Sequence, residues 1–265
     1  MRSILIHARH WPAGTRAALL LAVVVAVVVA LFTYGRIPQV VGYNNFADTR
    51  SWWGLPNAQN VLSNLPFLLV GLWGLWRLPR FAISTRFERM AWAGFFLGVL
   101  LTFLGSAYYH WQPDNLRLVW DRLPITLSFI CLFAAVLAER VSVRLAAWSL
   151  LPMLVYAAAS VVYWYLSETW GRGDMRLYIL VQLLPLLLIP LLLLFYAPRY
   201  SHGSAFLLAA GWYVLAKIFE ATDSLVYQFG GIISGHAIKH LLAALATAQV
   251  AWMLHHRRLC GSEPF

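Results

Sequence analysis

A chain of 265 residues in which 61% of side chains are apolar and only 11% charged falls well outside the range of soluble domains, where about 25% are charged. A soluble fold has nowhere to hide that much apolar surface, so the bilayer is the expected solvent. The formal net charge of +10 argues against a nucleic-acid partner, because the basic residues sit between apolar runs and act as topogenic charge instead of forming one basic face.

In chain order, hydropathy and helix breakers predict membrane helices at residues 17–34, 57–76, 90–110, 121–138, 144–166, 175–196, 204–222 and 234–255. The fold class is all-α, a polytopic membrane helix bundle of eight spans, read as a seven-helix core plus one extra N-terminal transmembrane helix. The corresponding organisation is a cytoplasmic segment (1–16), the extra helix (17–34), a seven-span core (35–256) and a short cytoplasmic tail (257–265). The valine-alanine run of the first helix also has the character of a signal-peptide core, but the bulky Leu31-Phe-Thr-Tyr34 that follows offers no small-x-small cleavage site. Connectors such as Arg77-Leu-Pro-Arg80 and Gln112-Pro-Asp114 are too short for a second domain. Cys131 and Cys260 supply neither a disulfide framework nor a thiolate metal motif.

Placing the amino terminus inside collects Arg2, Arg9, Arg16, Arg77, Arg80, Arg86, Arg89, Arg140, Arg144, Arg199, Arg257 and Arg258 in the cytoplasm, against only Glu88, Glu139 and Glu263. The outer loops balance, with Arg122 and Asp121 among their charges. This bias orients both termini to the cytoplasm.

Ionisable groups at span depth cost about 2.5–3.5 kcal/mol on insertion scales and therefore mark function. His110 ends the third span in Ser106-Ala-Tyr-Tyr-His110, where serine and histidine share a helix face. His236 and His240 begin the last span four residues apart, so their imidazoles stack on one face. The third span runs outward and the last runs inward, which brings all three histidines to similar depth near the outer face. Three imidazoles without a thiolate form the ligand set of a catalytic zinc with an open position. His7, His10, His202, His255 and His256 fall on the other side and read as solvated or headgroup-facing.

Asp121, at the outer start of the fourth span, has two readings: a helix-start carboxylate satisfying backbone amides, or a carboxylate that orients a histidine or takes a proton from water. Ser106 either donates to a developing oxyanion or bonds its own backbone. On the seventh span Lys217 and Glu220 read as an internal ion pair, with Asp223 near enough the outer end to reach the histidines. Asn57, Asn60, Ser63 and Asn64 give the second span a polar outer face suited to interhelical hydrogen bonds.

With these residues assembled, the chain resembles the alkaline ceramidase family, within the seven-span membrane hydrolases that include the adiponectin and progestin receptors and the Per1 proteins. The matching pieces are Asn60-Val-Leu-Ser-Asn64, Ser106-x-x-x-His110 followed by Asp121, and His236-x-x-x-His240, over about residues 46–256. The resemblance implies zinc on His110, His236 and His240, Ser106 and Asp121 completing the site, and hydrolysis of the amide bond of a ceramide-like membrane lipid. Animal ceramidases carry an acidic calcium-binding segment before the first core span. Here Asn57 stands where they have a glutamate and Tyr43-Asn-Asn-Phe-Ala-Asp48 has one carboxylate, so Asp48 and Asn57 are left as ligands of at most a weak calcium site.

The alternative from another class is a lipid receptor or binding protein with a structural zinc. A transporter ranks last, since no inverted repeat is visible. The acyl chain, amide over ester, and oligomeric state are not encoded in any motif.

Overall fold

The computed structural model describes residues 10–260, so Arg2, His7, Arg9 and Glu263 lie outside the described residues. These residues form a helical bundle: α1 (Ala13–Tyr34), α2 (Ala58–Leu62), α3 (Leu65–Arg77, extended by a 3₁₀ turn Leu78–Arg80), α4 (Arg86–Trp111), α5 (Asn115–Arg140), α6 (Val143–Thr169), α7 (Arg176–Phe195), α8 (Ala205–Ala221), α9 (Asp223–Gly230) and α10 (Gly235–His256). Among the described residues seven helical segments, with α2 and α3 counted as one, are long and apolar enough to cross a membrane. The pair α8 and α9, bent by 75°, passes the same test only when its two helices are taken together, as a broken span or a re-entrant loop.

Helix starts carry polar caps that hydropathy does not see. The Thr85 hydroxyl accepts from the Glu88 N–H, Asp114 from the Arg117 N–H, Ser142 from the Leu145 N–H and Ser234 from the Ala237 N–H. The sequence expectation is corrected at α5. It begins six residues before Asp121, and Asp114, not Asp121, satisfies its first amides. The second predicted span is corrected too, because it is interrupted at Ser63 and Asn64. Pro66 has no N–H to offer the Leu62 carbonyl, so the helical ladder cannot run through this point.

The central element is α5, packed on α4, α6 and α7, while α10 packs on α8 and α3. Gly94, Gly98 and Gly105 let α4 approach α5 closely, since a Cβ at any of them would overlap Cys131, Ser128 or the Trp120 carbonyl. A large apolar core with Trp92, Phe95, Phe96, Ile130, Leu192 and Phe206 fills the bundle. The extra helix α1 buries none of its residues and lies against α7, fastened by Arg16, which donates to the Phe195 carbonyl at 3.0 Å.

Several charges assigned to loops from sequence are buried. Arg257 is 3% exposed and meets Glu139 at 2.6 Å, with Trp92 Nε1 donating to the same carboxylate at 3.0 Å. Glu88, fully buried, is held by Arg199 and by the Tyr200 hydroxyl. Arg122 is also buried and lies over the Trp164 ring at 3.8 Å. Pairing and cation–π contact offset the desolvation that would otherwise keep these groups in water.

Candidate metal centre

The C-terminal end of α4 and the N-terminal start of α10 meet because the two helices run in opposite senses through the bundle. His110, His236 and His240 face one another there, each less than 5% exposed. Their ring centroids form a nearly equilateral triangle with sides of 4.9, 4.7 and 4.8 Å. One nitrogen from each lies within 4.8 Å of the others, and this group can hold a metal ion.

The donor set fits such an ion. His240 Nδ1 lies 2.8 Å from Ser63 Oγ, and the hydroxyl has the Asn60 carbonyl in reach at 3.1 Å. With the serine proton on Asn60, the serine oxygen accepts from His240 Nδ1–H, and the lone pair of His240 is confined to Nε2. That Nε2 faces His110 Nε2 at 3.1 Å. Two nitrogens held about 2.0–2.1 Å from a tetrahedral zinc would be about 3.3 Å apart. His110 Nδ1 has no hydrogen-bond partner among the described residues.

The elements around the cluster hold it in place. Asn57, in the left-handed conformation at φ 48°, donates its side-chain amide to the His110 carbonyl at 2.9 Å. Asn60 donates to the Asp48 carbonyl and receives Ser234 Oγ at 3.4 Å, linking α2 to the cap of α10. Asn64 donates to the Asn60 carbonyl at 2.7 Å. Asp223 does reach the cluster, through backbone: its carboxylate accepts from the His236 N–H at 2.7 Å and the Ala47 N–H at 3.0 Å. The negative charge thus sits at the start of α10, where the helix dipole favours it.

Asp48 and Asn57 are placed differently from a cation cradle. Both Asp48 carboxylate oxygens are engaged by Arg50, at 2.9 and 3.0 Å, so a cation there would have to displace the guanidinium. Burial works to raise the Asp48 pKa, but the hydrogen bonds and charge of Arg50 outweigh it and hold the carboxyl below the usual range.

Asp121 and Ser106 stand close to one another. Both are buried and, with His240, line a cavity of about 440 Å³ that continues between the helices past Phe95, Val99, Leu132, Leu186, Ile189 and Phe206. Lys217 pairs with Glu220 as its spacing suggests, but Glu220 also takes Lys239 at 2.7 Å and the Tyr43 hydroxyl at 3.0 Å.

Two participants were missed from sequence. Lys239 Nζ lies 3.4 Å from His236 Nε2, and its signal was a lysine inside the last span, one residue before His240. Phe46 closes over the cluster with its ring 4.7 Å from both His110 and His236. No pattern marked Phe46, because a single phenylalanine in a connector carries no periodic signal. His10, His202, His255 and His256 are exposed and away from the cluster. No protein-family model matches the chain, and no curated protein matches its sequence.

Proposed function

We propose that this chain is a zinc-dependent membrane hydrolase that cleaves the amide bond of ceramide-like N-acyl lipids, as its resemblance to the alkaline ceramidases implies. The observation that carries the reading is the triangle of three buried imidazoles, with His240 Nδ1 engaged by Ser63 Oγ at 2.8 Å. A divalent zinc ion held by His110, His236 and His240 supplies polarisation of a carbonyl and a lowered pKa for water.

The protein's own groups supply the rest. The apolar cavity takes the acyl chain and brings the amide to the end where Ser106, Asp121 and His240 stand. Asp121, beside Ser106 in the cavity wall, takes a proton from the attacking water and delivers it to the departing amine nitrogen. Ser106 is also placed to donate to the oxyanion as it develops. Water that breaks the C–N bond leaves its oxygen on the acyl carbon and its protons on the amine and carboxyl group. With the positive-inside orientation, this chemistry lies near the outer face and both termini are cytoplasmic.

Purified protein is expected to carry about one zinc per chain, and His110→Ala or His240→Ala to lose both metal and fatty-acid release while still inserting. Undiminished release by metal-free protein would reject the mechanism. Binding of lipid without turnover would favour the receptor reading.

A further inference from the structure

A second cavity, of about 350 Å³, shares Val40, Tyr43 and Glu220 with the apolar one and reaches a different histidine of the cluster. Its wall is formed by residues 40–46 of the connector before α2 and residues 220–225 at the α8–α9 bend, and it reaches His236. Val41 and Leu225 at this cavity are well exposed, whereas His236 is buried. Polar groups concentrate here: Glu220, Thr222, Asp223, Ser224 and Asn45 all contribute. The two cavities therefore touch different members of one cluster, His240 from the apolar side and His236 from the polar side.

Tyr43 and Glu220 line both cavities, and the hydrogen bond between them spans the boundary. Hydrolysis consumes water, and a long apolar passage is a poor conduit for it, because each water needs two to four polar partners. The polar cavity beside the cluster meets that need, and Lys239, which lines the apolar cavity, links Glu220 to His236 Nε2.

We propose that the chain has two separate approaches to its metal centre: the apolar cavity for the acyl chain, and a polar vestibule through which water enters and a hydrophilic product leaves. The Tyr43–Glu220 hydrogen bond is the partition between them. The assignment of traffic rests on the hydrolase reading, but the existence of two compartments does not.

The test uses full-length protein in lipid nanodiscs with Cys131→Ala and Cys260→Ser removing the native thiols. Thr222→Cys reports on the vestibule and Thr102→Cys on the apolar cavity. Each threonine donates to the carbonyl four residues before it, and Thr102 is the more buried of the two, so the response of Thr102→Cys to Tyr43→Phe is the decisive comparison. A charged methanethiosulfonate should modify Thr222→Cys at least about tenfold faster than Thr102→Cys, because the apolar cavity disfavours a charge. The small uncharged reagent should modify both. Adding Tyr43→Phe should raise the charged reagent's rate at Thr102→Cys. Equal charged-reagent rates, or no uncharged modification of Thr102→Cys, would overturn the two approaches, and an unchanged rate in Tyr43→Phe would overturn the partition. Labelling needs no turnover, so a protein that labels as expected without releasing fatty acid removes the hydrolase and keeps the compartments.

Discussion

Replacing Ser63 by alanine isolates the support of one ligand from the ligand itself. In the wild-type protein the 2.8 Å contact from Ser63 Oγ fixes the His240 tautomer, and the serine proton is placed by the Asn60 carbonyl at 3.1 Å. Without the hydroxyl, His240 Nδ1–H loses its nearest acceptor and is left with the Asn60 carbonyl, which Asn64 already engages. Asn64 Nδ2, at 3.4 Å, is itself a donor and can accept nothing. Losing such a partner typically weakens metal affinity by about 10–100-fold, which is about 1.4–2.7 kcal/mol at 1.36 kcal/mol per decade. The fold should lose less, because one neutral hydrogen bond contributes about 1 kcal/mol net. Zinc titration against a chromophoric chelator should show the weakened Kd, with Ser63→Thr near wild type because it keeps the oxygen. An affinity for Ser63→Ala within twofold of wild type would refute both the tautomer assignment and Nε2 as the ligand atom.

Three further outcomes follow from packing and charge. Gly105→Ala would drive a methyl group into the Trp120 carbonyl, so α4 and α5 must separate beside the Ser106–Asp121 pair. The expected cost is about 1–3 kcal/mol, seen as a lower Tm in detergent, with fatty-acid release falling further than zinc content. Arg257→Ala leaves Glu139 buried without its cation, a loss of about 3–5 kcal/mol in thermal unfolding. Zinc affinity should hold in that variant, because the 21 residues from His236 to Arg257 span about 30 Å of helix. The Asp48 carboxyl, held low by Arg50 despite burial, gives stability that is fully present above the unfolded aspartate pKa and disappears as pH falls through the lower folded value. The Tm difference between wild type and Asp48→Asn should therefore be largest above about pH 5 and shrink in strong acid.

The eight apolar runs were legible because the length needed to cross hydrocarbon is a coarse quantity that hydropathy measures well. Helix starts were less so. Capped by Thr85 and Asp114, α4 and α5 begin four and six residues before the predicted starts, since caps lie among polar residues where hydropathy stops. The three histidines were legible as a group only through topology, which placed the end of one helix beside the start of another. Glu88, Glu139, Arg122 and Arg257 were read as loop charges because the sequence does not reveal which opposite charge or aromatic face awaits each of them. Ser63 and Phe46 became meaningful only when packing showed what they touch.

Irregular backbone at membrane depth costs several kcal/mol for each group left unsatisfied, and is tolerated only where protein supplies partners. Both interruptions in this bundle fall beside the histidine cluster. At the α2–α3 break, Ser63 Oγ and Asn64 Nδ2 both engage the Asn60 carbonyl, and the same Ser63 fixes His240. Next to the bend between α8 and α9, Asp223 accepts from the His236 N–H and thereby sets the position of His236, while Thr222 closes the bend itself on the Ile218 carbonyl. At each break a side chain of the break or its neighbour orients a ligand. A continuous helix through either point would relieve the backbone and remove the support of the metal centre with it, so the breaks and the site stand or fall together.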